Sequence, residues 1–521
     1  MTSKYQSDYT AGEDNVRLWG MDIHNPVFFV SASLIVLFVM ATIQFPTHAN
    51  EILASVRAWC LATFDSFMMI SVSLILLFCL ALTVLPVARV RIGGEGALPE
   101  FSRASWFAML FAAGMGIGLM FWGVAEPMTY YMGDSGTPLG VQPQTAEAAD
   151  LAMAATMYHW GFHAWSIYAV IALALAFFSF NCGLPLTLRS AFYPLLGERC
   201  WGWPGHVIDT FAVLATIFGL ATSLGLGAAQ VNSGLNMLFG VEDAINTKLT
   251  VIIFVTFIAI LSVVRGLEGG VKVLSNFNML LAGLLLLFIA IVGGNIGVFN
   301  AVFDTGTQYL KHIVPLSNWV GRDDEPWMQN WTVFYWAWWV SWSPFVGMFI
   351  ARVSKGRTVR EFIVAVLLVP TLVTLVWMSV FGMNGLYQAQ NDIGSLAGGM
   401  SSMSLATFQM LENLPYSGIT TIVGVVLVLV FFVTSSDSGS LVIDSITAGG
   451  KHDAPIPQRI FWASMEGLLA GALLYGGGRE ALAALQAGTV AAGIPFTIVL
   501  LLVCISLYKG LSANVREAAL R

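Results

Sequence analysis

The chain has 521 residues, of which 57% are hydrophobic and only 10% charged, and its formal net charge is −7. A water-soluble domain carries about 25% charged residues, so this composition excludes a soluble fold and makes lipid the solvent; the modest charge gives no footing for nucleic acid. The cysteines Cys60, Cys79, Cys182, Cys200 and Cys504 show no paired spacing and read as small apolar side chains, excluding a disulfide frame or a thiolate metal site.

Residues 1–25 are polar and mixed in charge, with no basic leader and no small-residue cleavage site, and so predict a cytoplasmic tail. Apolar runs able to cross a ~30 Å core follow near 26–45, 66–88, 105–132, 148–179, 206–236, 249–264, 272–297, 328–351, 361–388, 418–436, 459–477 and 488–508. Basic Arg265 and Lys272 separate the short sixth run from the seventh. With the N-terminus inside, eighteen of the 23 Lys and Arg residues fall in inner segments; only Arg57, Lys248, Lys311, Arg322 and Arg479 lie outside. That asymmetry follows the positive-inside rule and puts both termini in the cytoplasm. The expected fold class is an all-α polytopic membrane protein of twelve transmembrane helices.

Enzyme signatures are absent from the sequence: there is no GxxxxGK[ST] phosphate loop, no HExxH pair and no GxSxG elbow. The chemistry-bearing stretches lie inside the apolar runs. "FAAGMGIGLMFWGVAEP" (111–127) places Gly114, Gly116 and Gly118 in a spanning helix, where each weakens helix by about 1 kcal/mol relative to alanine. Gly114 and Gly118 form a GxxxG pair suited to close helix packing. The three together also favour local unwinding, which offers free N–H and C=O groups and is tolerated at this depth only where backbone lines a cavity or is enclosed by protein.

"WTVFYWAWWVSWSPFVGMFIARVSKGR" (331–357) puts Trp338, Trp342 and Phe345 on one helical face, flanked by Trp336 and Trp339. Pro344 removes a backbone donor and is expected to distort the helix there. The rings extend over more than two turns, deeper than an interfacial belt. In "YHWGFHAWSIY" (158–168), Trp160, Trp165 and Tyr168 fall within one arc. Two such helices face to face would make a box whose ring quadrupoles attract a quaternary ammonium. No carboxylate is seen among these rings, which disfavours a primary amine. Thr434 and Ser435 follow the run "VLVLVFFV", with Asp437 just after it. Such hydroxyls serve either as interhelical hydrogen-bonding groups or, with unwound carbonyls, as ligands for Na⁺. Asp437 is a relay candidate, and His159 and His163 read as packing histidines.

"GMGIGLMFWGVAEP", "WAWWVSWSPFVGMFIARVSKGRTVREF" and "FFVTSSDSGS" resemble the betaine/choline/carnitine transporter family. The resemblance implies two leading helices (26–88) and two inverted five-helix repeats of the LeuT type (105–297 and 328–508). A connecting segment (298–327) and a short cytoplasmic tail (509–521) complete the division. The glycine and Trp–Pro stretches then open the two repeats at corresponding positions. By motif, the family's aromatic box corresponds to Trp160, Trp165, Tyr168 and Trp339, and Trp338 and Trp342 line the inner path. Gly114, Met115, Gly116 and Gly118 supply the unwound backbone of the substrate site. The sodium site corresponds to Ala112 and Met115 (carbonyls), Phe431, Thr434 and Ser435. For a second sodium site Thr216 and Phe345 match, but Leu220 stands where a threonine is expected.

Two further departures bear on the coupling ion: Asn278 aligns with an arginine of the sodium-independent exchangers, and Gly118 stands where proton-coupled choline carriers place an aspartate. The resemblance thus implies a Na⁺-coupled symporter for glycine betaine or a related onium zwitterion such as dimethylsulfoniopropionate. Na⁺ would be the coupling ion, no cofactor is expected, and the setting would be a bacterial inner membrane, with a homotrimer as the assembly. The alternatives are a proton-coupled choline transporter and an ion-independent betaine/carnitine exchanger.

Overall fold

The computed structural model describes residues 5–114, 116–265, 271–293, 297–451 and 453–520. The chain opens on a hairpin, β1 (Asn15–Leu18) and β2 (Met21–His24), in which Asn15 faces His24 and Leu18 faces Met21. Its two-residue turn sets Trp19 at φ 53° and Gly20 at φ 77°, the double left-handed conformation that matches strand twist. The segment read as a polar tail is thus partly ordered as a strand pair.

Eighteen α-helices follow among the described residues. The first six are α1 (Val27–Gln44), α2 (Pro46–Val84), α3 (Arg103–Gly114), α4 (Ile117–Met132), α5 (Ala146–Trp160) and α6 (Phe162–Phe180). The short α7 (Tyr193–Leu196) precedes α8 (Trp203–Phe239), α9 (Ile245–Arg265), α10 (Val271–Val292), α11 (Val298–Ser317) and the three-residue α12 (Glu325–Trp327). The last six are α13 (Phe334–Val353), α14 (Val359–Gln390), α15 (Ala406–Glu412), α16 (Ser417–Thr447), α17 (Ile456–Gly477) and α18 (Ala481–Ala519).

Ten helical stretches among the described residues are long and apolar enough to cross a membrane, with α5 and α6 taken as one. Two of the expected runs are not among them. The run 105–132 is divided into α3 and α4, of 12 and 16 residues, each shorter than a ~30 Å crossing. The run 328–351 opens on a π-turn over Met328–Val333, and its content of Trp, Tyr, Ser and Pro lowers its hydropathy. Burial separates inner from outer helices. Every residue of α4 from Ile117 to Tyr131 is buried, as is nearly all of α5 and α6. The α1, α9 and α10 faces instead expose Leu37, Met40, Ile253, Leu280 and Leu287, the outward grease of a chain solvated by lipid.

Local structure refines the expected runs at four places. The connecting segment 298–327 contains the 20-residue helix α11, which buries Ala301, Thr305 and Tyr309 and exposes Phe299, Phe303, Leu310 and Val314. The run 148–179 breaks at Gly161, where a side chain would collide with Met157 O and the Tyr309 hydroxyl, each 2.6 Å from an added Cβ. That hydroxyl accepts from Phe162 N at 2.9 Å and so satisfies the amide exposed by the break. Pro344 does not interrupt α13. The Val340 carbonyl, deprived of an amide partner, accepts instead from Ser343 Oγ at 2.7 Å. Finally, Asp437 lies within α16, which runs on to Thr447.

Candidate functional site

The helix break comes at the glycine stretch. α3 ends at Gly114, α4 begins at Ile117, and Gly116 between them is extended; Met115 lies outside the described residues. The start of α4 is clamped by side chains from three other helices. Trp377 Nε1 of α14 donates to Leu119 O at 3.0 Å, while Gln230 Nε2 of α8 and Thr407 Oγ1 of α15 both donate to Met120 O at 2.8 Å. A helix start leaves its first N–H groups without helical partners and carries the positive end of the dipole. Here that end opens into a cavity.

Its walls are Gly116, Ile117, Gly118 and Leu119 of the break, Trp160 at the end of α5, Tyr168 of α6, Ser223 of α8, and Trp338, Trp339 and Trp342 of α13. α13 packs along α6 and α8, which brings the two aromatic-rich segments together. Trp339 is the common neighbour, with ring centroids 5.3 Å from Trp160, 5.1 Å from Tyr168 and 6.1 Å from Trp165. Trp338 meets Trp160 edge-on at 6.1 Å. Trp165 stands one layer behind, fully buried, edge-on to Tyr168 at 5.4 Å. Gly118 permits the closest approach, since a Cβ there would sit 2.5 Å from Trp160 Cη2 and 3.3 Å from Trp338 Cη2.

The indole N–H groups of Trp165, Trp338, Trp339 and Trp342 are buried without a hydrogen-bond partner, as are those of Trp122, Trp327 and Trp336 away from the cavity lining. Trp160 differs, because its Nε1 donates to Glu126 Oε2 at 2.8 Å. Glu126 is fully buried and also accepts from Tyr335 Oη at 2.5 Å and Tyr130 Oη at 3.0 Å, and lies 2.8 Å from His159 Nδ1. A carboxylate therefore sits directly behind the box, which corrects the expectation of none among the rings, although the cavity lining itself holds no acid. The sequence reading also passed over Ser223, Ile117 and Leu119. Glu126 carries a local signal: an acid two turns into an otherwise apolar spanning run is an intramembrane ionisable group.

Of the residues matched to a sodium site, Ala112 lies on α3 and Phe431, Thr434 and Ser435 on α16, while Met115 is outside the described residues. Thr434 Oγ1 gives its proton to Val430 O and Phe431 O at 3.0 and 3.2 Å, which leaves its lone pairs unspent. Thr434, Ser435 and Ala112 are half-buried, and Phe431 is buried. At the second set, Thr216 Oγ1 donates back to Ala212 O at 2.7 Å, and Phe345 lies 5.5 Å from Trp342. Leu220, in place of a threonine, packs its methyl groups against Gly439 of α16 and presents no oxygen there.

The family model for betaine/carnitine/choline transporters matches residues 26–516. A glycine betaine/proline/choline/ectoine transporter of Vibrio parahaemolyticus is 59% identical over 97% of this chain and 90% of its own. A glycine betaine transporter of the same organism is 57% identical over 98% and 97%. One from Bacillus subtilis is 44% identical over 83% of each chain. Family members are transporters, not enzymes. With the match running almost end to end, this chain belongs to the betaine/carnitine/choline transporter family.

Proposed function

We propose that the chain is a Na⁺-coupled symporter carrying glycine betaine, or a close onium zwitterion such as dimethylsulfoniopropionate, into the cell. The observation that carries this reading is the indole and phenol cage beside the start of α4. Ring faces attract a diffuse, poorly hydrated onium head by about 0.5–2 kcal/mol per favourable contact. Three unpaired indole N–H groups on the cavity wall, those of Trp338, Trp339 and Trp342, and the N-terminus of α4 are donors for the carboxylate at the other end of the same molecule. The relatives described as glycine betaine transporters support the same substrate class.

A net-neutral zwitterion gains nothing from the membrane potential, so accumulation needs an ion. Each Na⁺ supplies about 2.3 kcal/mol per 100 mV and about 1.4 kcal/mol per tenfold gradient. Ala112, Met115, Phe431, Thr434 and Ser435 would hold it. Leu220 against Gly439 removes an oxygen from the second set, Thr216 and Phe345, and favours a single ion. In this reading the ten long helices, the α3–α4 pair and α13 make twelve spans arranged as two leading helices and two inverted repeats. Both termini are cytoplasmic, in a bacterial inner membrane, and three copies assemble. The test is competition uptake in proteoliposomes with several onium compounds, with and without a sodium gradient. Concentrative betaine uptake that requires the gradient is expected. Uptake that persists without sodium and rises at acid pH would replace this reading with a proton-coupled choline carrier, and sodium-free counterflow would replace it with an exchanger.

A further inference from the structure

We propose that Glu126 is a specificity-determining residue: its charge, held behind the Trp160 ring, makes the cage prefer a cationic head over a neutral one of the same shape. The proposal rests on the onium-binding reading above. Glu126 does not line the cavity, so it touches no substrate and acts through Trp160 and through its field.

Three side-chain donors converge on the Glu126 carboxyl group. Trp160 Nε1 can only donate, and Tyr335 and Tyr130 turn their hydroxyls to the same carboxylate. His159 Nε2 lies 2.9 Å from Thr332 Oγ1. In the state we propose, that hydroxyl donates to Nε2 and the neutral ring donates from Nδ1 to Glu126 Oε1 at 2.8 Å. Arg322, which acts on His159 electrostatically, is itself paired with Asp324 at 2.6 and 2.8 Å. With His159 neutral in this way, no full cation pairs with Glu126, which is fully buried, where charge is weakly screened. A negative charge behind an indole strengthens the attraction of that ring's cavity side for a cation. It does nothing for a neutral head.

Scaffolding and charge can be separated. If Glu126 only held Trp160 in place, its loss would weaken every ligand alike. The pair to compare is glycine betaine and 3,3-dimethylbutyrate, in which a carbon replaces the nitrogen and the methyl groups and carboxylate are kept. In Glu126→Gln the amide oxygen still accepts from Trp160 and Tyr335. Its NH₂ can donate to Tyr130 Oη and to His159 Nδ1 after a tautomer exchange, with Nε2–H then donating to Thr332. The network can therefore accommodate the variant without movement.

Measured as competition constants on the full-length protein, the betaine-over-isostere ratio should fall by about tenfold or more in Glu126→Gln. A ratio unchanged within threefold, or both ligands weakening equally, overturns the proposal. Should Glu126→Gln fail to reach the membrane, Glu126→Asp decides: it keeps the charge, so the ratio should hold within threefold even if both affinities drop, and a collapsed ratio overturns the proposal. Unaltered protein that binds no betaine would instead sink the transport reading.

Discussion

Gly118→Ala adds one methyl group at the tightest point of the cage. The new Cβ would lie 2.5 Å from Trp160 Cη2, nearly an ångström inside ordinary contact, and 3.3 Å from Trp338 Cη2. Trp160 cannot swing away freely, because its Nε1 is tied to Glu126 at 2.8 Å and its ring abuts Trp339 at 5.3 Å. Overpacking of a fixed core of this kind costs about 1–3 kcal/mol. The displaced ring is a wall of the cavity, so much of that cost should appear as lost affinity, roughly tenfold to a hundredfold at about 1.4 kcal/mol per decade. Gly283→Ala serves as the control. Nothing lies within 4 Å of a Cβ at Gly283 in α10, and alanine there should leave binding unchanged. The assay is isothermal titration of betaine with purified protein, paired with KM for uptake in proteoliposomes. Affinity for Gly118→Ala within twofold of the unaltered protein, with normal insertion, would refute the reasoning.

Trp339→Ala removes the ring shared by Trp160, Trp165 and Tyr168, a loss of about 3–5 kcal/mol; saturable uptake should vanish with membrane insertion retained, and retained uptake would remove the cage from the substrate path. Thr434→Ala with Ser435→Ala should raise the sodium concentration for half-maximal uptake while leaving betaine KM unchanged at saturating sodium, and an unshifted sodium curve would discard that ion site. Tyr309→Phe leaves the Phe162 amide without its acceptor, so melting in detergent should show a loss of about 1–3 kcal/mol; an unchanged melting temperature would mean that the break at Gly161 is held by other contacts. Burial, and then the Arg189 guanidinium, hold the His24 imidazole down at about 3 from its ordinary 6.5. Once undocked, the ring takes a proton below about pH 6.5, whereas docked it stays neutral. The N-terminal segment should therefore loosen as pH falls through that window, by at most ~1.4 kcal/mol per pH unit. Hydrogen exchange over residues 5–24, corrected for intrinsic rates, should rise between pH 7.5 and 5.5, and His24→Gln should remove the difference. Equal protection at both values contradicts the assignment.

Local patterns were readable wherever chemistry and spacing coincide. Three glycines in an apolar run announced the break between Gly114 and Ile117, and tryptophans at helical spacing announced the α13 wall. What escaped depends on contacts distant in sequence. Glu126 draws its partners from Tyr130, His159, Trp160 and Tyr335, and no window of residues shows that they converge. The interruption at Gly161 is matched to Tyr309, which lies in a stretch that reads as a connection. Ser223 reaches the cavity only because α13 packs on α8. The hairpin did leave a trace, in Val16, Leu18, Met21 and Ile23 disposed about Trp19–Gly20. Four-residue strands, however, fall below what alternation in a polar segment can establish.

The N-terminal segment joins two loops that lie far apart in the sequence. It meets the turn after α16 through Asn15 Nδ2 to Ala448 O at 2.9 Å, Gly12 N to Gly449 O at 3.1 Å, and Asp22 with Lys451 at 2.6 Å. It meets the segment between α6 and α8 through Tyr9 stacked on Trp201 at 4.4 Å, and through the enclosed Arg189, which bonds Tyr9 and His24. Any stroke that parts those two loops must peel this tether from one of them or carry it along. Its slack therefore bounds how far those two loops can separate, and a chain shortened to Val27 would strip Arg189 of its Tyr9 and His24 contacts while keeping its ion pair with Asp209.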